Sequence, residues 1–324
     1  MEQETNIAEI ETTSPQPTPP KNGIALALGG GAARGWAHIG VIRAIDEANI
    51  PISMIAGTSI GALVGGCYLA GQLDALEEFA RSVTRRSMLR YMDFTFRGSG
   101  LISGARLAAK MDESIGSINI EDLDRPFVAV ATDIVTGNEI WLMDGPLGPA
   151  IRASYALPGV FKPVVHSGRN MVDGALVNPV PVSVCNALEA QSVIAVNLNA
   201  QTFGRSNVVR STSFSKEEKI VPISEEAAEN ASWLPFQFGF GEGSSNSQSR
   251  LGVTGIMIEA FNIIQDRITR SRLAGDPPDF TIRPKLKDIG LADFHRADEA
   301  IQYGYEEAKE RLSQIEGNIS LESI

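Results

Sequence analysis

Three short stretches carry the residues whose types and spacing could do chemistry. The first is Gly57-Thr58-Ser59-Ile60-Gly61, a serine with glycines two places before and two places after. A serine hydroxyl is a weak nucleophile unless it is exposed, aimed and activated. A sharp turn from strand into helix supplies the aim, because it pushes the side chain clear of the backbone. The flanking glycines let neighbouring chain approach without a Cβ clash. The helix that follows would turn its unbonded N–H groups toward a developing oxyanion. The second stretch is Gly29-Gly30-Gly31-Ala32-Ala33-Arg34-Gly35, and the third is Asp173-Gly174-Ala175. On its own an Asp-Gly pair is an ordinary turn signal.

The glycine run supports two readings. As a dinucleotide fingerprint, Gly29 and Gly31 provide G-x-G. Arg34 then occupies the place of the third glycine, which comes one residue late at Gly35, and the next strand runs into GTSIG instead of ending on an acid. As a nest, the same glycines turn backbone N–H groups toward one point and hold an oxyanion. One such donor is worth roughly 3 kcal/mol of transition-state stabilisation. The nest reading uses both glycine turns together and is preferred over a nicotinamide or flavin oxidoreductase.

These turns need elements to position them. Ile24–Leu28 and Ile52–Ala56 are short apolar runs of the kind buried in parallel sheets. Between them, Ile39, Ile42, Ala44 and Ile45 recur at helical spacing, completing a βαβ unit. In such a fold ligands gather at the carboxyl edge of the sheet, where both glycine turns emerge. Residues 60–91 read as two helices whose end is crowded with Arg81, Arg85, Arg86 and Arg90, a solvated cationic terminus before it is a lipid-headgroup patch. The spacing predicts a loop and helix over 101–115 and a strand over 126–133. A Gly137-Asn138 turn joins that strand to a partner at 139–143. A helix follows over 149–156, then strands at 170–172 and 192–197, a helix over 253–273 with Ile256, Ile258, Phe261, Ile264 and Ile268 as its apolar side, a strand at 279–283 and a closing helix at 297–315.

Composition shifts divide the chain into a disordered leader (1–22), a catalytic core (23–200), a mobile insertion or lid (201–252), the C-terminal part of the same domain (253–316) and a tail (317–324). Within the insertion, Trp233, Phe236, Phe238 and Phe240 suit a hydrophobic anchor, a substrate lid or packing onto the core.

A 324-residue chain with net charge −11 is a poor match for nucleic acid, which demands basic surface. Cys67 and Cys185 cannot build a disulfide framework, and His38, His166 and His295 leave no metal-ligand spacing, so no metal and no cofactor are expected. The N-terminus lacks the basic start and apolar stretch of a secretory signal. Ala48–Leu73 is uncharged and carries GxxxG spacing, but Pro51 and its polar residues argue against a membrane span. The reading is a cytoplasmic protein with room for peripheral contact at the inner membrane. Oligomeric state is not legible.

Taken together with Ser154-Tyr-Ala156-Leu-Pro158-Gly-Val-Phe161, the three turns resemble the patatin-like phospholipase family, above all bacterial members that begin LALGGGxxRGWAHIGV. The resemblance covers about residues 22–200 and, less specifically, the last helix; the 201–252 stretch is longer than the family pattern. It implies an α/β three-layer sandwich with a mostly parallel central sheet and a nucleophile elbow. It implies a serine-dependent lipid acyl hydrolase acting on phospholipid or another acyl ester, of phospholipase A or lysophospholipase type. Carried over residue by residue, Ser59 is the nucleophile and Asp173 its general base. Gly29, Gly30 and Gly31 line the oxyanion hole with Arg34 holding or supplementing it, and Gly57, Gly61, Gly174 and Ala175 complete the motifs. Such a base should be largely enclosed, since burial raises the basicity of a carboxylate. A Ser59–Asp173–His295 triad is a competing arrangement, and a membrane-associated lipid-binding adaptor with weak or no hydrolysis is the competing function.

Overall fold

In a computed structural model, the chain is described over residues 23–87, 100–102, 109, 113–200 and 253–316. Five strands run parallel in the order β10 (Phe280–Ile282), β9 (Val193–Val196), β1 (Ile24–Leu28), β2 (Ile52–Thr58) and β4 (Phe127–Asp133). β1, β2 and β4 are buried along their whole length, which is why they read as unbroken apolar runs. β5 (Glu139–Leu142) returns antiparallel along β4, pairing Ala129 to Thr132 with Leu142 to Glu139. β7 (Val164–His166) and β8 (Arg169–Asp173) form a hairpin whose turn, Ser167-Gly168, has φ of 48° and 74°. Positive φ at both turn residues matches the twist of the flanking strands. A short parallel pair, β3 (Gly100–Ile102) with β6 (Gly159–Phe161), stands apart.

Alternation along the strands splits the core in two. Leu26, Leu28, Ile55, Phe127 and Ala129 face one layer of helices: α1 (Ala37–Glu47), α2 (Ile60–Leu69), α3 (Leu73–Ser82), α4 (Leu147–Tyr155) and α7 (Ala297–Glu316). Ala25, Ala27, Met54, Ala56, Val128 and Val130 face the other, where α5 (Val182–Ala187) packs and Leu273 of α6 (Val253–Gly275) joins the cluster. The fold is therefore the three-layer α/β sandwich with a mostly parallel sheet.

The registers decide where the chemistry sits. β2 pairs with β4 up to Thr58↔Val130, and β8 pairs antiparallel with β4 starting at Asp173↔Ala131. β5 occupies the opposite edge of β4, since it pairs with residues that both β2 and β8 also use. So β2 and β8 lie on one edge of β4 and meet end to end, each by its carboxyl terminus. Asp173 thus enters from a strand running against β4, not from the parallel set that delivers both glycine turns.

Two strands differ from the sequence reading. β6 and β7 are strands where no element was expected between 158 and 169. The uncharged stretch from Ala48 resolves into β2, a turn and α2, which is the strand, turn and helix expected around Ser59. No helix among the described residues is long and apolar enough to cross a membrane. Arg81 is ion-paired with Glu77 at 2.9 Å and with Asp298, and Arg85 donates to His295 Nε2 at 3.2 Å. Both arginines thus have protein partners. Arg90, most of 101–112, and the insertion at 201–252 with its aromatics lie outside the described residues, as do the leader and the tail.

Candidate active site

Ser59 stands between β2 and α2 with φ 58° and ψ −124°, a strained backbone for a residue with a side chain. The close packing around it explains its neighbours. A Cβ on Gly57 would sit 2.5 Å from the backbone of Ala62, and one on Gly61 would sit 2.2 Å from the Leu28 carbonyl oxygen. Neither position admits a larger residue, so the spacing of GTSIG is dictated by strand, helix and turn crossing at one point. The strain is held from the far side. The Ser59 N–H donates to Ser154 Oγ at 2.8 Å, and the Ser154 hydroxyl donates to the Val130 carbonyl at 2.6 Å. Thr58 Oγ1 donates to the Asn178 carbonyl at 2.8 Å. With its own N–H tied to Ser154, the Ser59 side chain turns to another partner.

It projects onto Asp173. Ser59 Oγ donates to Asp173 Oδ2 at 2.7 Å, while the other oxygen, Oδ1, accepts the Ala175 N–H at 2.8 Å. The Asp173 backbone is clamped on both sides: its N–H donates to the Ala156 carbonyl at 3.0 Å, and its carbonyl accepts from Thr132 Oγ1 at 3.0 Å. Gly174 packs so tightly on β4 that a Cβ there would lie 2.2 Å from the Val130 oxygen. Asp173 is 3% exposed, and burial pushes its carboxyl up from 3.8 to about 6, against the pull of its Ala175 and Ser59 hydrogen bonds. At neutral pH it is still mostly ionised and is a far better proton acceptor than a solvated aspartate.

The glycine run approaches Ser59 through Gly30, whose absent Cβ would stand 3.5 Å from Ser59 Cβ and 3.4 Å from Ala175 Cβ. The expectation that all three glycine amides face the oxyanion is narrowed. Gly29 N–H donates to Val196 O at 3.1 Å and Gly30 N–H to Pro179 O at 2.9 Å, so both donors are committed to the backbone. The N–H groups of Gly31, Ala32 and Ile60 have no acceptor among the described residues. Arg34 holds the loop instead of filling the gap. It is 5% exposed, its Nε donates to Ile289 O at 2.8 Å and one guanidinium nitrogen donates to Asn199 Oδ1 at 3.0 Å. Burial lowers its pKa, opposed by the charges of Glu259 and Asp293. His38, fully buried and held near 4 by burial, is hydrogen-bonded through Nε2 to Gly29 O at 2.7 Å. It braces the loop and does not touch Ser59 or Asp173.

The structure thus brings together Ser59, Asp173, Gly30, Gly174 and Ala175. His295 lies in a 3-10 turn before α7, bonded to Arg85, and neither Ser59 nor Asp173 bonds to it. Among the described residues no cluster of His, Cys, Asp and Glu is arranged to hold a metal, and Cys67 and Cys185 are buried thiols pushed up to about 12. Ser154 is the positioning residue that sequence reasoning missed. Its signal was present: Leu147, Ile151 and Ser154 share one helical face, and a serine on an apolar face invites the question of what it bonds.

Fold and site together define a class: a three-layer α/β protein with a serine–carboxylate pair at a strand-to-helix elbow. The family described as patatin-like phospholipase matches residues 26–185. An uncharacterized NTE family protein of Mycobacterium bovis is 34% identical over 331 aligned positions, spanning 90% of this chain and 92% of its own. The neuropathy target esterase sws of Drosophila melanogaster is 34% identical over 56% of this chain but only 13% of its own length. A lysophospholipase NTE1 of Mycosarcoma maydis is 38% identical over 55% of this chain and 10% of its own. The chain belongs to the patatin-like phospholipase family, and that membership supports a lipid acyl hydrolase activity.

Proposed function

We propose that the protein is a serine-dependent carboxylic ester hydrolase of phospholipase A or lysophospholipase type, working through a Ser59–Asp173 dyad. The observation that carries this reading is the 2.7 Å hydrogen bond from Ser59 Oγ to a buried Asp173 whose pKa stands at about 6. Ser59 Oγ attacks the acyl carbonyl carbon and passes its proton to Asp173 Oδ2. The carbonyl oxygen becomes an oxyanion, and the uncommitted N–H groups of Gly31, Ala32 and Ile60 are the donors available to it. Collapse expels the alcohol or lysolipid, which takes the proton back from Asp173. Water then attacks the acyl-serine, giving its proton to Asp173, and release of the fatty acid restores Ser59. No step calls on a metal or cofactor. The NTE relatives, one named an esterase and one a lysophospholipase, support an ester-linked acyl lipid as substrate.

The test is a short-chain p-nitrophenyl ester assay, paired with lipid-extract digestion and mass spectrometry of the products. Ser59→Ala and Asp173→Asn should each lower kcat/KM by roughly a thousandfold or more, while His295→Ala retains most activity. A loss on His295→Ala comparable to that of Ser59→Ala would replace the dyad with a triad. A folded wild type that binds lipid but releases no fatty acid would favour the adaptor.

A further inference from the structure

Over its described side chains, residues 259–275, α6 is docked the wrong way round for a helix of its composition. Its described buried positions are Asn262, Gln265, Asp266 and Thr269, all below 7% exposure. At 100° per residue these lie on one face, and Leu273 continues it onto the core. The opposite face carries Ala260, Ile264, Arg267 and Ser271, flanked by Ile263, Ile268 and Phe261. Ile263 is 47% exposed and Ile264 50%, and Ala260 and Arg267 are exposed too. A surface helix ordinarily does the reverse, burying its apolar stripe and wetting its polar one. Asn262 makes the cost visible, since its buried Oδ1 has no hydrogen-bond partner among the described residues. An outward apolar face maintained at that cost calls for something apolar to cover it.

We propose that the outward face of α6 is a docking surface for the phospholipid bilayer that carries the substrate. The occupant rests on the lipid-hydrolase reading above; the exposed face does not. Charge selects it: Arg270 is ion-paired with Asp266 and Arg272 with Glu139, each at 2.9 Å, while Arg267 stands exposed on the outward face between the isoleucines, in a chain of net charge −11. Isoleucines with an arginine beside them on one exposed helix face suit the boundary between acyl chains and anionic headgroups. Position selects it as well. α6 packs on the 174–176 turn that follows Asp173, and the charge of Glu259, near its start, acts on Arg34 beneath the glycine loop. Seated on a bilayer, the helix would hold both halves of the site at the lipid surface.

The test is co-sedimentation of the full chain with vesicles of phosphatidylcholine and phosphatidylglycerol, alongside hydrolysis of a soluble p-nitrophenyl ester. Wild type should sediment with the vesicles. Ile263→Ser/Ile264→Ser should weaken partitioning by about tenfold, from roughly half a side-chain transfer free energy lost at each position. It should leave hydrolysis of the soluble ester unchanged. Arg267→Glu, which leaves the isoleucines in place, should weaken binding to phosphatidylglycerol vesicles and spare zwitterionic ones. Ser59→Ala should bind as wild type does, so a failed hydrolase reading with intact docking is recognised as such. Three results would overturn the docking surface: wild type that ignores the vesicles, folded variants that bind as well as wild type, or a wild-type dimer that the isoleucine variant converts to monomer with vesicle binding unaltered.

Discussion

Asp173 gains its basicity from the same burial that makes it expensive to fold. In the proposed dyad a protonated Asp173 cannot take the Ser59 proton, so kcat/KM on a neutral ester should climb as pH rises through about 6 and level off above. A pH–rate profile that is flat from 5 to 8 would detach the reaction from this carboxylate. Ser154 acts one bond further back. Ser154→Ala leaves the strained Ser59 N–H without its acceptor and the Val130 carbonyl without its donor. Such an unpaired buried group costs about 1–3 kcal/mol. Because that bond fixes the direction in which Ser59 projects, the loss should fall on kcat, by about tenfold or more, with KM little changed. Ser154→Thr, which keeps the hydroxyl, should recover most of it. A variant that melts earlier but turns over normally when folded would reduce Ser154 to a packing residue.

At the scale of elements, the site depends on glycines where backbone meets backbone. α1 leads directly out of the glycine loop, and α7 lies across it in reciprocal contact. A Cβ on Gly40 would stand 1.9 Å from Ile301 O, and one on Gly304 would stand 2.0 Å from Ala37 O. Gly304→Ala must push the helices apart, at an overpacking cost of about 1–3 kcal/mol that exceeds the gain in helix propensity. Urea denaturation should show the lower midpoint, and Gly40→Ala combined with Gly304→Ala should lose less than the sum, since one displacement relieves both clashes. Additive losses would mean that the two contacts yield independently. α6 shows the limit of reading elements from pattern alone. Ile256, Ile258, Phe261, Ile264 and Ile268 look like a core-facing stripe, yet the described part of that stripe is half-buried at Phe261 and Ile268 and half exposed at Ile264.

For the molecule as a whole, the proposed base Asp173 sets stability against function. Its shift from 3.8 to about 6 means that the folded state binds the carboxyl proton more tightly than the unfolded chain does. Stability therefore falls as pH rises from about 4 to about 6, and above that range the full penalty, about 3 kcal/mol, is present. Asp173→Asn keeps an acceptor for the Ala175 N–H and removes the charge. It should melt at higher temperature than wild type at pH 7–8, with the advantage shrinking to nothing near pH 4. An unchanged or lower melting temperature at pH 8 would show that the burial is not costly in this fold.

By itself the sequence determined whatever is local: the buried parallel strands, the glycines two either side of Ser59, the helix that starts behind it, and the turn at Asp173. These rest on steric limits and hydrogen-bond periods that act over a few residues. Tertiary structure alone decided that β2 and β8 meet end to end on one edge of β4, joining Ser59 to a carboxylate 114 residues away. It also decided that Ser154 ties back the elbow, that the Gly29 and Gly30 amides are already taken, and that α6 turns Ile263 and Ile264 outward. Each of these follows from which strand edge or helix face was left vacant once the rest had packed, a quantity that belongs to the assembled layers and to no single segment.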